Sequence, residues 1–519
     1  MFCQLDYLRR CIPRTGDIRR ALDELPKTLD ETYARNLEEI DEQKWKHAHL
    51  FFQCVAAAPR PFYVEELAQF LAFDFEAGST PTFMADWCPE DPAHIVLSMC
   101  SSLLVVVEPE GYSSPVVQFA HFSVKEYLTS TRLSKAKDNI SRFHVSMTPA
   151  HTIVARACLG LLLYLDETVT KESLKSFPLA DYAAQYWVDH ARIEDVSSKV
   201  QDGMKCLFDP GKIHLSIWLW IWDPESPLSR PDPADRPERP GEARATPLHY
   251  AASCGLHDAV KFLIIEYSQD VNSRGFDSNA TPLHVASRNG HAGIAQLLLE
   301  HNADGNAKNV RKWTSLHLAS ILGHAEVARI LLEHSADMEA REENGFSPLM
   351  LASLESAEVT RVLLEHGADV NAQGDGNVTS LHDTRVEETA RLLLKHGADA
   401  NALNIYGHTP LHTMSEGGYV EPARVLLEHG VDASARDANN ATPLHLASRG
   451  WIIDPEDATF REEVARRRPD IVRLLLQYGS DVHARDNEGR TPFMIATSEE
   501  DHSVMQLLLE YGAEDHRQR

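Results

Sequence analysis

The sequence predicts a mainly α protein whose C-terminal half is a solenoid of short, stacked helix pairs. Three observations carry that reading. One phrase is restated eight times between residues 246 and 494: TPLH from Thr246 and Thr281, TSLH from Thr314, SPLM from Ser347, TSLH from Thr379, TPLH from Thr409 and Thr442, and TPFM from Thr491. The intervals are 35, 33, 33, 32, 30, 33 and 49 residues, the signature of an internal repeat. Between phrases the same sequel recurs: a small or glycine-containing turn, a leucine run, then Glu-His-Gly-Ala-Asp or a close relative.

Each unit follows from backbone chemistry. Thr281 is suited to cap a helix whose first turn tolerates Pro282, because an N–H there has no intrahelical partner. Leu283 and Ala286 begin an apolar face, and Gly290 ends the helix by entering the left-handed region cheaply. A second helix carries Ile294, Leu297 and Leu298 at helical spacing. Asn302, Asp304 and Asn306 then open a polar hairpin loop that leads to the next Thr. One unit alone cannot bury its leucines; a stack can.

Over residues 245 to 516 this pattern resembles the ankyrin repeat, with eight short-looped copies. Met350 and Met494 replace the His of the phrase, repeat five is about three residues short between its helices, and repeat seven carries an extra segment near residues 450 to 469. Ankyrin arrays bind partner proteins and do no chemistry, so the resemblance implies a non-catalytic protein–protein interaction scaffold.

Size and charge bound the rest. The chain has 519 residues and a formal net charge of −27, enough for about three domains on the usual prior. From residue 245 onward there are 24 basic against 41 acidic residues; before it, 26 against 36. Neither part is a basic surface suited to nucleic acid, and the acidic balance favours partners with basic surfaces. Eight cysteines at wide, irregular spacing, none in a C-x-x-C pair, read as buried thiols in a reducing compartment. The N-terminus lacks an apolar signal core. The greasiest runs, Ile153 to Leu165 and Ile213 to Trp222, fall short of the roughly 20 residues that span a bilayer. The expected location is the cytoplasm, without membrane association.

From the start, Asp17 to Leu25 reads as a short helix stopped by Pro26, followed by amphipathic helices over Leu29 to Ile40 and Trp45 to Ala58. Val64 to Phe73 resumes a helical pattern, and Pro92 to Ser102 predicts another helix. LLVVVE from Leu103 and VVQFA from Val116 flank a turn-rich EGYSS, which is a hairpin. A helix from Phe122 to about Thr131 closes the unit. Helices followed by a hairpin predict a winged-helix domain over 47–135, after a helical remnant over 1–46. Helices continue over 136–223, including IWLWIW from Ile217, read as packing against the first repeat. Six prolines among charges predict a semi-rigid extended linker over 224–244.

The run IRRALDELPKTLDETYARNLEEI from Ile18, then RPFYVEELAQFLAFD, VLSMCSSLLVVVE and VQFAHFSVKEYL, resembles the tail of a NACHT-type switch ATPase. There a nucleotide-binding core precedes a winged helix and often ankyrin repeats. The resemblance covers about residues 3 to 165, and CQLDYLRRC at Cys3 looks like the end of the ATPase core, so Met1 is expected to fall inside a longer module. It implies an alternative function, the sensor and regulatory end of a nucleotide-driven signalling switch. Nucleotide hydrolysis needs a phosphate loop, and no G-x-x-x-x-G-K occurs in these residues; Gly211-Lys212 has Cys206 where the first Gly should stand. His121 matches the position of a His that touches bound ADP in related switches. It reads either as a relic of that nucleotide sensor or as a structural His at a strand-to-helix corner.

No cofactor, catalytic group or metal site is expected. Fourteen of the 26 histidines recur at fixed places in the repeat; those of the TPLH and TSLH phrases are expected to hydrogen-bond within and between units. Partner-binding residues are sought where the repeat departs outward. Arg311, Lys312 and Trp313 precede the Thr of repeat three, Phe346 precedes the Ser of repeat four, and Tyr406 lies slightly earlier in its own unit. The aromatics form either a binding stripe or covers for their own hairpins. Trp451 opens the insertion in repeat seven, where Glu462 with Arg466 and Glu463 with Arg467 favour a short helix. That insertion reads either as a projecting arm for a partner or as a neutral loop.

Overall fold

A computed structural model describes residues 28–100, 103–108, 114–136, 139–225, 236–449 and 458–514. They fall into two compact units, Met1–Asp270 and Val271–Arg519. The expected helix over Asp17 to Leu25 lies outside the described residues.

In the first unit Thr28 caps helix α1 (Leu29–Glu38) by accepting the Glu31 N–H. Helix α2 (Trp45–Ala57) buries Phe51, Phe52 and Cys54. A two-residue strand β1 (Phe62–Tyr63) leads into α3 (Val64–Gln69), shorter than its pattern suggests because residues 70–72 tighten into a 3₁₀ turn. A small ribbon, β2 (Phe73–Asp74) with β3 (Thr82–Phe83), precedes α4 (Pro92–Cys100). The hairpin strands β4 (Leu104–Val107) and β5 (Val116–Phe119) pair antiparallel, Val106 opposite Val117. β1 adds to the free side of β5, so the sheet order is β1-β5-β4. Helix α5 (Phe122–Leu128) and the short α6 (Thr131–Ser134) follow.

Helix α7 (Met147–Tyr164) is the spine of this unit, buried along most of its length and packed on both α2 and α9 (Leu179–Ala191), which follows the short α8 (Lys171–Leu174). Helices α10 (Gln201–Leu207) and α11 (His214–Ile221) complete it. IWLWIW packs differently from expectation. Trp218 meets the rings of Trp187 at 5.3 Å and Phe208 at 5.9 Å, and its Nε1–H donates to the Ala184 carbonyl. Trp218 therefore closes the helical segment, Trp220 donates its Nε1–H to the Pro237 carbonyl, and α10 packs on the first repeat. That repeat, α12 (Pro247–Ser253) and α13 (His257–Ile265), belongs to the first unit. Lys205 pairs with Glu266 at 2.6 Å, and the Arg192 guanidinium donates to the Cys254 carbonyl. The described end of the proline-rich stretch is likewise tied down: Arg236 is buried, pairs with Asp181 at 2.7 Å, and lies near Glu238, whose carbonyl accepts the Lys171 N–H.

The second unit stacks six helix pairs and one single helix among the described residues. The pairs are α14 and α15 (Pro282–Arg288, Ala292–Glu300), α16 and α17 (Ser315–Ile321, Ala325–Glu333), and α18 and α19 (Pro348–Glu355, Ala357–Glu365). After the single α20 (Glu387–Lys395) come α21 and α22 (Pro410–Glu416, Val420–Glu428), α23 and α24 (Pro443–Ser448, Ala458–Gln477), and α25 and α26 (Pro492–Ser498, His502–Glu510).

Repeat five, expected to keep both helices with about three residues fewer between them, has only the second. Ten residues separate Thr314 from the start of α17, but only seven separate Thr379 from α20, too few for a helix and a turn. Residues 380–386 make one turn, with the His382 N–H on the Thr379 carbonyl at 3.0 Å. The row of second helices packs without interruption from α15 to α26, whereas the row of first helices is broken between α18 and α21. The insertion is partly helical: α24 runs through Pro469, about eleven residues ahead of the point where α22 starts in its own repeat.

Candidate functional site

The second unit is held in register by its phrase histidines. Thr281 caps α14, accepting the His284 N–H, while His284 Nδ1 accepts the Thr281 N–H at 3.2 Å. Because Nδ1 accepts, Nε2 carries the proton, and it donates across to the Trp313 carbonyl of the next hairpin at 3.0 Å. The same bridge runs from His317 to the Phe346 carbonyl, His382 to His408, His412 to Ala441 and His445 to Arg490. Burial pushes His284, His317 and His412 down to about 4, and His382 and His445 down in the same direction. Met350 cannot donate, so the bridge is missing between repeats four and five.

Hairpins are further tied by a backbone ladder: Val310 N–H to Ser278, Glu343 to Arg311, Ile405 to Gly376, Ala438 to Tyr406 and Asn487 to Asn439. Five neighbouring pairs of loops are thus pinned together, so a shape presented by those loop tips is preorganised.

The sequence-selected residues divide. Arg311 and Lys312 are exposed at the tip of their hairpin. Trp313 and Phe346 are half-buried, with the Trp313 ring 6.1 Å from the His317 ring and the Phe346 ring beside Gly374. Trp313 thus lies against its own unit, and Phe346 against the next hairpin. Tyr406 stands three residues before its Thr instead of one, and is 61% exposed. The three aromatics therefore occupy two different positions and form no single stripe. Trp451 lies outside the described residues. Sequence reasoning missed Ile405, 62% exposed, and Leu403, exposed beside it. The available signal was three large apolar residues in a loop that is otherwise polar.

Tyr406 borders a cavity of about 520 Å³ lined by hairpin residues and the ends of first helices. Five carboxylates reach it, from Asp383, Glu416, Asp437, Asp486 and Glu488, against two guanidinium groups, Arg449 and Arg490. Asp437 is committed to structure: its Oδ1 accepts the Asn439 and Ala441 N–H groups at 2.8 Å, and its Oδ2 faces His408 Nε2 at 3.2 Å. Asp486 and Glu488 are paired with Arg490. Asp383 sits where repeat five has lost its helix; burial pushes its carboxyl up, and the nearby Arg385 only partly offsets this. Among the described residues it makes no ion pair within 4 Å.

In the first unit His121 caps α5. Its Nδ1 accepts the Ser123 N–H at 3.3 Å and meets Ser123 Oγ at 2.6 Å, and that hydroxyl meets the Tyr33 phenol at 2.7 Å. A corner role is therefore filled, while the ring itself and Phe122 remain exposed. Cys54, Cys88, Cys158, Cys206 and Cys254 are free thiols, and burial pushes Cys254 up to about 12, which keeps it protonated and unreactive. Among the described residues no group of three His, Cys, Asp or Glu side chains could hold a metal ion, and no helix is long and apolar enough to cross a membrane.

Comparison with known proteins identifies the repeats. Family models described as ankyrin repeats match residues 232–309 and 305–374 in a three-copy form, and 393–447 and 463–509 in a many-copy form. The unmatched stretches, 375–392 and 448–462, coincide with the lost helix of repeat five and the insertion of repeat seven. Azaphilone pigments biosynthesis cluster protein L of Monascus ruber is 31% identical over 54% of this chain and 61% of its own length. Vegetative incompatibility protein HET-E-1 of Podospora anserina is 26% identical over 37% of this chain and 15% of its own. The chain thus spans less than two thirds of either relative. The crystal structure of the human ASB11 ankyrin repeat domain is 24% identical, with a TM-score of 0.39 over 46% of this chain and all of that one.

Proposed function

Because its second half is built of ankyrin repeats, we propose that this chain is a non-catalytic adaptor that captures a protein partner in the groove beside Tyr406. The observation that carries the reading is the groove itself. A ladder-pinned set of hairpins puts exposed Tyr406, with exposed Leu403 and Ile405 in the same loop, at a cavity with five carboxylates to two guanidinium groups. Aromatic anchors of this kind dominate interface energetics, and the surplus of acid selects a segment carrying Lys or Arg. Arg311 and Lys312 add a separate exposed basic tip. On this reading the protein works in the cytoplasm, without nucleic acid or membrane as a partner.

The test is affinity capture with the full chain, its Tyr406→Ala and Asp383→Asn variants, and a chain ending at Asp270. Partners held by the wild type should be lost from the truncated chain and weakened in both variants, more so at high salt. Equal capture by all four would refute the reading.

A second reading, the regulatory end of a NACHT-type switch, is favoured by one observation. The succession α2, β1, α3, α4, β4, β5 with sheet order β1-β5-β4 is the topology expected of a winged-helix module. On this reading the exposed His121 ring faces a nucleotide held by another domain. Joined to such a domain, a His121→Ala chain should lose its response to ADP while folding normally; an unchanged response would count against it.

A further inference from the structure

Three side chains in the first unit form a hydrogen-bonded chain that neither functional reading uses. Tyr182 and His190 are buried about two turns apart on α9, and half-buried His151 faces His190 from α7. The Tyr182 hydroxyl lies 3.0 Å from His190 Nε2, and His190 Nδ1 lies 2.8 Å from His151 Nδ1.

The proton positions follow from the partners. Burial keeps the Tyr182 phenol protonated, and among the described residues its hydroxyl has no acceptor other than His190. The phenol therefore donates to Nε2. A neutral imidazole that accepts at Nε2 carries its proton on Nδ1. His190 thus donates to His151 Nδ1, and the His151 proton is left on Nε2. The chain has one direction, from core to surface. A further proton has no place in it. On His151 it would occupy Nδ1, opposing the His190 N–H across 2.8 Å. His190 could yield only by moving its own proton to Nε2, where the Tyr182 O–H already points, and the buried phenol would lose its acceptor.

The surroundings give an added charge no support. Burial pushes His151 down, and Lys125 of α5 adds to this. Burial holds His190 at about 3, with His151 beside it. Arg60 and Glu66 face Tyr182 but are paired with each other at 2.6 Å, and Cys54 and Cys158, which face it too, are buried thiols that burial keeps neutral. Asp189, next to His190 on α9, has its carboxyl pushed up by burial, partly offset by Arg192.

This chain sits at a joint. His190 occupies the last turn of α9; two residues on, the Arg192 guanidinium donates to the Cys254 carbonyl of the first repeat, and the Ser197 hydroxyl to Asp258 of α13, each at 2.6 Å. We propose that the Tyr182–His190–His151 chain is an acid-sensitive latch, holding the end of α9 and with it the seat of the first repeat while His151 is uncharged, and releasing both when His151 takes up a proton. The stability it contributes is complete above the ordinary imidazole value of 6.5 and declines as pH falls below it. The latch does not depend on partner capture at Tyr406.

Hydrogen–deuterium exchange of the full chain, read by mass spectrometry as protection factors at about pH 7.5 and about pH 5.5, tests this. Over residues 186–197 and 250–258 protection should fall by about tenfold or more across that interval, the change for one imidazole that gains its proton on opening one unit below its ordinary value. His151→Asn keeps an acceptor where Nδ1 stood and cannot titrate. It should protect as wild type does at the higher pH and lose about three- to tenfold less on acidification. NMR of the unaltered chain with labelled histidines needs no variant: at neutral pH His190 should carry its proton on Nδ1 and His151 on Nε2. Equal acid losses in wild type and His151→Asn, protection in these segments that does not change with pH, or a His151 proton on Nδ1 at neutral pH would overturn the proposal.

Discussion

Acid should loosen the repeat array at its histidine bridges. His284, His317 and His412 are held at about 4 by burial, against an ordinary value of 6.5. The unfolded chain therefore binds more protons than the folded one at every pH between those values. The stability they protect is complete above the unfolded value and is lost as pH falls through 6.5 toward 4. Going from about pH 7.5 to about pH 5, each bridge loses about 2 kcal/mol, or about 6 kcal/mol for the three. His382 and His445 shift in the same direction, while Asp383, whose carboxyl is pushed up, opposes them. Urea unfolding followed by circular dichroism across this range measures the slope. His317→Met supplies the control, because Met350 already occupies the equivalent site in repeat four. It should cost about 1 kcal/mol at neutral pH for the lost hydrogen bond to Phe346, and remove about 2 kcal/mol of the acid loss. An unfolding free energy that stays flat down to about pH 5, or a His317→Met chain with the full wild-type slope, would refute the reasoning.

Other consequences follow from close contacts. Gly407 has φ +73° and its missing Cβ would lie 2.7 Å from the Ala438 backbone nitrogen, whereas Gly430 at φ +88° faces open space. Gly407→Ala should therefore lower the thermal midpoint clearly more than Gly430→Ala, by about 1–3 kcal/mol of extra destabilisation, and equal losses would show that only backbone strain matters. Asp437→Ala strands two loop N–H groups and should cost about 2–4 kcal/mol in denaturant unfolding; a loss below the cost of one hydrogen bond would contradict the geometry. Gly417→Ala should push the Tyr419 ring from beneath Arg385, read as a changed Tyr419 environment by NMR, and no change there would mean the ring contact is absent.

Much of this architecture could be read from spacing. Caps, helix faces and bridging histidines are local or repeat at a fixed interval, so Thr281, His284 and Leu298 announce their roles in a single unit. Repeat five was harder, because TSLH at Thr379 looks intact and only the count of residues to α20 reveals that no helix fits. The partners of Trp218 were beyond spacing altogether: Trp187 and Phe208 are brought to it by α9 and α10 crossing, which no periodicity encodes. The groove shares that difficulty. Asp383, Glu416 and Arg449 gain meaning only when stacking gathers them around the cavity that Tyr406 borders. Tyr406 was visible as an aromatic in a polar loop, but its separation from Trp313 and Phe346 depended on a two-residue offset at the hairpin tip.

In a structure where each layer touches only the layers beside it, a faulted layer acts as a plane of easy cleavage. Repeat five lacks one helix, and the layer before it contributes a thioether where its neighbours supply an imidazole. Strain applied to the array, whether by a partner pulling on one end or by thermal breathing, concentrates at that plane. Amides of α18 should then exchange with solvent ahead of those of α14 and α16, and the blocks on either side should melt as separate cooperative segments.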